Sequence, residues 1–80
     1  MKIVYDREVD ALSIIFKETT VTTQHMSEGI AVDYDAKGQL ASIEILDATQ
    51  RFGEKGTLDQ VIIEGIQIAQ LVTVPTKIAA

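Results

Sequence analysis

The sequence predicts a mainly β, α+β domain built on an antiparallel β-meander of four or five strands, with a short helical segment and a C-terminal strand or helix. Two observations support this prediction. Runs of apolar and β-branched residues recur at intervals of about eight to twelve positions, with turn signals between them. Residues 29–47 also read as a β-hairpin, around which we expect the other strands to assemble.

The hairpin is predicted to join residues 30–34 to residues 39–46 through the turn DAKG. Asp35 opens such a turn by accepting a hydrogen bond from the backbone two residues on, and Gly38 takes the left-handed position that closes it. A three-residue loop pairs Tyr34 with Leu40, whereas an even loop gives better apolar pairing between the strands. Because a one-residue slip exchanges the two faces, we expect a β-bulge near residues 40–42 to reconcile them.

Three further strands are predicted in the front half of the chain, at residues 2–5, 11–16 and 21–26. The second is apolar on both faces, which is typical of a central strand. The third is rich in threonine and alternates poorly, so we expect a more exposed strand or an edge strand.

The pattern changes after residue 46. Residues 47–52 are expected to form a short helix, with Asp47 as the N-cap and Gly53 as the stop. Residues 57–68 are ambiguous: they open like a capping box, but a β-branched run and Gly65 oppose a helix. We assign residues 60–64 as a strand.

The chain is predicted to be one domain, 1–80, with a meander core over 1–52 and a C-terminal extension over 53–80. The tail holds the only proline, Pro75, and four apolar residues that need a partner surface: Leu71, Val72, Val74 and Ile78. Another subunit is one such surface, and a partly disordered terminus is the alternative.

Length and composition favour self-association. A chain of 80 residues buries only roughly 60–65% of its unfolded surface. Hydrophobic residues make up 46% of the chain, yet there is no cysteine to form a disulfide. Small domains of this kind often gain stability by oligomerising, so we expect a homo-oligomer. The lack of cysteine fits a reducing cytoplasm, and we see neither a signal-peptide pattern nor a membrane-spanning apolar run.

The net charge of −5 opposes direct binding to nucleic acid, because phosphates repel an acidic surface. No basic stripe interleaved with aromatic residues is visible. A basic protein partner is compatible with this charge, since opposite fields accelerate encounter. The same charge is also ordinary for a soluble protein.

One stretch resembles a metal site. Asp33, Asp35 and Glu44 fall at the first, third and twelfth positions of a calcium-binding loop. Lys37, however, occupies a ligand position, and the flanking segments are β-branched rather than helical. We therefore assign no metal ligand, and keep a metal- or small-ligand-binding protein that uses these three carboxylates as the alternative function.

No catalytic constellation is visible. His25 is the only histidine and lacks an evident partner. The acidic cluster Asp6, Glu8 and Asp10 fits a turn better than acid–base chemistry. Nucleophile-elbow, P-loop and dinucleotide-binding motifs are absent. We therefore predict no enzyme activity, no catalytic residue and no cofactor.

Two motifs together resemble a known family. They are YDREVDAL at residues 5–12 and VDYDAKG at residues 32–38, the latter followed by IEILDA at residues 43–48. This combination is similar to a widespread prokaryotic family of small proteins, domain-of-unknown-function family 2283. The resemblance covers residues 2 to about 52 and implies a small β-rich domain with no established activity. Some members look like partners of toxin-type proteins, which implies an antitoxin-like role for an acidic chain and transfers no functional residue.

From the sequence we therefore predict a non-enzymatic, self-associating interaction module. The more specific prediction is an antitoxin-like role.

Overall fold

The computed structural model describes residues 1–54 and 56–75 and shows a five-stranded antiparallel sheet followed by two short helices. This mainly β, α+β architecture confirms the predicted fold class. The elements are β1 (Lys2–Asp6), β2 (Ala11–Ile15), β3 (Thr22–Ser27), β4 (Ile30–Tyr34), β5 (Leu40–Ile45), α1 (Ala48–Phe52) and a 3-10 helix (Thr57–Asp59).

The strand order across the sheet is β1-β2-β5-β4-β3. Strands β3, β4 and β5 follow one another as a meander, and β5 then pairs with β2, which adds the β1–β2 hairpin to the same antiparallel sheet. The β1–β2 hairpin thus docks on the free side of β5 rather than beside β3. The predictions for single strands hold: β2 lies inside the sheet and β3 forms one edge.

The β4–β5 hairpin contains the predicted bulge. Asp33 lies opposite Ser42 and Tyr34 lies opposite Leu40, so Ala41 is the extra residue on β5. Ala41 is fully buried. Its carbonyl accepts hydrogen bonds from two successive backbone amides at the end of β2, and the bulge therefore also fastens that strand.

The turn of this hairpin follows the predicted chemistry. The Asp35 Oδ1 atom accepts hydrogen bonds from the backbone nitrogens of Lys37, at 2.9 Å, and Gln39, at 2.8 Å. Gly38 has φ = 78° and closes the turn in the left-handed region.

Helix α1 begins after Asp47 and ends at Gly53, as predicted. Gly53 takes the left-handed conformation expected of a helix stop. Asp47 also has a positive φ, 52°, and its side chain makes no capping hydrogen bond. The N-terminus of α1 must therefore find its hydrogen-bond acceptor elsewhere.

The predicted strand at residues 60–64 is wrong. Residues 60–75 have no regular secondary structure, and all of them are exposed. Intrinsic β-propensity is insufficient here because no sheet edge of the described chain pairs with this segment. The hydroxyl of Thr57 donates to the Glu54 carbonyl at 3.2 Å instead of forming a capping box. Ile78 lies outside the described residues.

The interior of the sheet is thin. The buried hydrophobic residues are Ala11, Leu12, Ala41 and Ala48, and three of these four are alanines. No large side chain among the described residues is fully buried. None of the described helices has the length and apolar character needed to cross a bilayer.

Candidate functional site: the apolar face of the sheet

The strand register divides the sheet into two faces of different chemistry. Because side chains alternate along each strand, residues that lie opposite one another across the strands share a face. One face, here called the apolar face, collects branched aliphatic and aromatic side chains from four strands: Ile3, Tyr5, Leu12, Ile14, Ile30, Val32, Tyr34, Ile43 and Ile45. A continuous set of this kind normally marks the side of a sheet that packs against a second layer.

In the described chain this second layer is missing. Among the described helices and strands, the main contacts are those between neighbouring strands and those between α1 and the 3-10 helix. Ile3 is 48% exposed, and Ile14, Val32 and Ile43 are only partly buried although they belong to interior strands. The apolar face is therefore a candidate binding surface.

The opposite face, here called the polar face, is held together by hydroxyl-to-carboxylate hydrogen bonds. The hydroxyls of Thr23 and Ser42 donate to the two carboxylate oxygens of Asp33, each at 2.5 Å. These bonds, that of Ser42 first, hold the pKa of Asp33 below its ordinary value. Asp33 thus cross-links three neighbouring strands and uses both of its oxygens to do so.

Both carboxylate oxygens of Asp35 also accept hydrogen bonds, at the hairpin turn. Its Oδ2 atom accepts a hydrogen bond from the Lys17 ammonium at 2.6 Å, and its Oδ1 atom is bonded to the turn backbone. The Lys17 bond is the main cause that lowers the pKa of Asp35, and the backbone nitrogen of Gln39 adds to it. The carboxylate stabilises the turn instead of remaining free for a ligand.

The structure does not bring the three carboxylates of the calcium-loop pattern together. Asp33 and Glu44 lie on the polar face, whereas Asp35 sits in the turn and binds Lys17. Within residues 1–54 and 56–75 there is no group of three potential metal-ligating side chains. The extended hairpin separates residues that a calcium loop would wrap around one ion. His25 is exposed on the edge strand β3, opposite Ala31, and shares the polar face with Asp33.

A cluster around Asp10 was not anticipated from the sequence. The Tyr5 hydroxyl donates to Asp10 Oδ1 at 2.7 Å, and Thr49 donates through its backbone nitrogen, at 3.1 Å, and its hydroxyl, at 2.9 Å. The Asp10 carbonyl accepts from the Ala48 nitrogen at 2.9 Å. Asp10 therefore supplies the acceptor for the N-terminus of α1 that Asp47 does not supply.

This cluster has the electrostatics of a structural cap. The Tyr5 hydrogen bond is the main cause that lowers the pKa of Asp10, and the same bond raises the pKa of Tyr5. Asp10 has φ = 52°, a conformation that aspartate tolerates better than most residues. The only indication of this cluster in the sequence was the pair of motifs YDREVDAL and IEILDA. The cluster joins Asp10 of the first motif to the residues at the end of the second. Within the first motif, Asp6 accepts from the Glu8 nitrogen at 3.0 Å and shapes the turn, as predicted for this acidic cluster.

Arg51 makes a second connection between α1 and the sheet. Its Nε atom donates to the Leu46 carbonyl at 2.8 Å, and its Nη2 atom donates to the Glu28 carbonyl in the β3–β4 turn. Gly29, with φ = 79°, leaves room for this side chain, because a Cβ atom there would lie 2.0 Å from Nη2. The helix is thus fixed to the turns at one end of the sheet.

Residues 60–75, here called the C-terminal arm, form a second exposed apolar surface. Eight large aliphatic side chains of the arm are exposed: Val61, Ile62, Ile63, Ile66, Ile68, Leu71, Val72 and Val74. Between described residues, no backbone hydrogen bond outside regular elements reaches the arm. Contiguous apolar exposure of this extent is typical of a surface that meets another molecule.

Comparison with known proteins gives one match. The model of a family described as a protein of unknown function, DUF2283, matches residues 2–48. This region contains all five strands and the start of α1, and it ends before the arm. No curated protein and no solved structure matches the chain.

Proposed function

This chain belongs to the DUF2283 family, and from that premise we propose that it is a non-enzymatic interaction module that self-associates through the apolar face of its sheet. In the proposed assembly, two copies place their apolar faces against each other and form a two-layered structure. The observation that carries the proposal is a one-layered sheet whose aliphatic face has no covering element among the described residues.

The physical argument is the need for two layers. A sheet that is apolar on one side is stable when that side is buried against another element. Here the described chain supplies neither a helix nor a second sheet for that purpose. A second copy supplies an identical apolar face, and an isologous pairing of two identical sheets closes the assembly at a dimer.

The area of the apolar face is smaller than the area that a stable interface usually buries on each partner. The four strands of the apolar face, with about five residues each, span roughly 19 Å by 17 Å, a footprint of about 320 Å². Stable interfaces usually bury about 800 Å² of accessible surface on each partner. The face therefore supplies the centre of an interface and leaves room for a contribution from the exposed arm.

The chain offers a matched pair of variants to test this proposal. Ile3 and Val4 are adjacent on β1, are both β-branched and are 48% and 38% exposed. Ile3 lies on the apolar face and Val4 lies on the polar face. We expect Ile3→Lys to place a charge in the interface and lower the mass measured by size-exclusion chromatography with light scattering from dimer to monomer. Val4→Lys should remain dimeric.

Two results would contradict the proposal. One is a wild-type protein that has the mass of a single chain at every concentration tested. The other is an identical loss of association in the Ile3→Lys and Val4→Lys variants, since a face-specific interface requires them to differ. Circular dichroism of both variants checks that the sheet is retained.

A second candidate function concerns the polar face. We propose that this face meets a basic protein, in keeping with an antitoxin-like role in the cytoplasm. The net charge of −5 and the exposed carboxylate of Glu44 on that face support this candidate. Binding to a basic partner that is weakened by Glu44→Lys and by added salt would support it, and salt-independent binding would contradict it.

A further inference from the structure

The two edges of the sheet are not equivalent. Among the described strands, β1 and β3 each have a neighbour on one side only, so each presents a row of backbone groups without a partner strand from the described residues. Strand β3 carries a register shift between His25 and Ser27, and irregular edges of this kind resist further pairing. Strand β1 pairs with β2 in continuous register from Lys2 to Asp6. It is therefore the better template for an added strand.

The arm has the sequence pattern of such a strand. Ile66 and Ile68 alternate with Gln67 and Ala69, which gives the segment one apolar side and one more polar side. Gly65, with φ = 75°, separates this segment from the preceding residues. The only proline of the chain lies further on, at position 75, so residues 66–69 all keep their backbone donors.

The pattern of the arm matches the pattern of the β1 edge. On β1, Ile3 and Tyr5 belong to the apolar face, whereas Lys2 and Val4 belong to the polar face. A strand made of residues 66–69 that pairs with β1 can continue both faces of the sheet at once. It also brings Ile66 and Ile68, which are 62% and 43% exposed, into the apolar interface.

We infer that the C-terminal arm of one copy adds as a strand to the β1 edge of a second copy. This inference rests on the self-association proposed above and specifies what the arm contributes to it. Within one subunit, residues 60–75 are exposed and irregular and do not pair with the β1 edge of the same chain. The second copy is the occupant that provides both an open β1 edge and an apolar face for the arm to extend. Main-chain hydrogen bonds then supply affinity and the alternating side chains supply register.

The direct test is an isotope-filtered nuclear Overhauser experiment on the full chain. Equal amounts of labelled and unlabelled protein are unfolded, mixed and refolded, so that the filtered signals come only from contacts between copies. We expect intermolecular signals from the methyl groups of Ile66 and Ile68 to the β1 amides. Filtered signals from the arm to β3, or no filtered arm signals in a protein that is dimeric, would each overturn the inference and leave the face-to-face proposal standing. A protein that is monomeric would overturn both.

A pair of variants provides an independent readout by hydrogen exchange. Gln67→Pro removes a backbone donor and restricts the arm, so the β1 amides that point away from β2 should lose protection. Val74→Pro, beyond the pairing segment, should leave their protection unchanged. Equal protection of β1 in the wild type and in Gln67→Pro would contradict the strand addition.

Discussion

The sheet and the C-terminal arm have similar residues and opposite structures. Strand β2 reads ALSII and the arm contains VII and IQIA, so both are rich in the branched side chains that favour strands. Strand β2 lies between β1 and β5, whereas the arm is irregular and exposed throughout. β-propensity therefore produces a strand only where a neighbouring strand edge and turns of the right chemistry are in reach.

In the front half of the chain, the turns hold the strands in place. Asp35 and Gly38 close one hairpin, the bulge at Ala41 sets its register, and Asp10 joins the β1–β2 turn to α1. The arm is preceded by a 3-10 helix of three residues, and no comparable turn or side-chain hydrogen bond holds it in the described chain. In the proposed assembly, the β1 edge of a second copy holds the arm in place.

The largest effect on the sheet should come from Gly29→Ala. This residue has φ = 79°, and the new Cβ atom would meet the guanidinium of Arg51. We expect the left-handed conformation to cost about 1–2 kcal/mol, and the loss of the Arg51 hydrogen bonds to add about 1 kcal/mol. Urea denaturation at fixed protein concentration measures the free energy of unfolding.

Gly38→Ala is the matched control for this substitution. Gly38 has nearly the same φ, 78°, but a Cβ atom there would contact nothing within 4 Å. Gly38→Ala should lower the free energy of unfolding only by the cost of the left-handed conformation, about 1–2 kcal/mol. An equal loss in both variants would show that Arg51 does not fasten the β3–β4 turn.

A smaller but diagnostic effect is expected at Asp10. Asp10→Ala removes the acceptor for Tyr5 and Thr49, so α1 should fray and the unfolding midpoint should fall. Asp10→Asn should be milder, because asparagine tolerates the positive φ and its amide oxygen still accepts a hydrogen bond. A double-mutant cycle with Thr49→Val measures the coupling, and additivity would contradict the cap assigned to Asp10.

The sequence was informative where interactions are local. The turn at residues 35–38, the bulge near Ala41, and Gly53 as the helix stop all follow from chemistry within a few positions. The β2–β5 pairing and the link from Asp10 to Thr49, 39 positions apart, join distant segments and leave no periodic signal. The apolar face likewise became visible only when the register assigned each residue to a side.

The carboxylate hydrogen bonds predict an acid-sensitive sheet. Asp10, Asp33 and Asp35 have folded-state pKa values below the ordinary 3.8. Their contribution to stability is therefore complete above pH 3.8 and is lost as the pH falls through the lower folded values. We expect Asp33→Asn to reduce the dependence of unfolding on pH in this acidic range. Glu44→Gln, on the same face, is the matched control, and equal slopes in the two variants would contradict the role of Asp33.

The smallest effect should come from the ion pair between Lys2 and Glu18. Its atoms are 3.5 Å apart, and both side chains are well exposed. We expect Lys2→Met to change the free energy of unfolding by less than about 0.5 kcal/mol. Lys17→Met should cost more, because Lys17 also bonds Asp35 and Gln39 at the hairpin turn. A larger loss of stability in Lys2→Met than in Lys17→Met would show that the contact between Lys17 and Asp35 is not important for the sheet.

The most direct measurement of the central claim, that this sheet is completed by a second copy, is the thermal unfolding midpoint of the wild-type chain at two concentrations about a hundredfold apart. If folding is coupled to association, the midpoint must rise with concentration, and the exposed apolar face predicts that it does. A cooperative transition whose midpoint is the same at both concentrations, in a protein with the mass of one chain, would contradict the account.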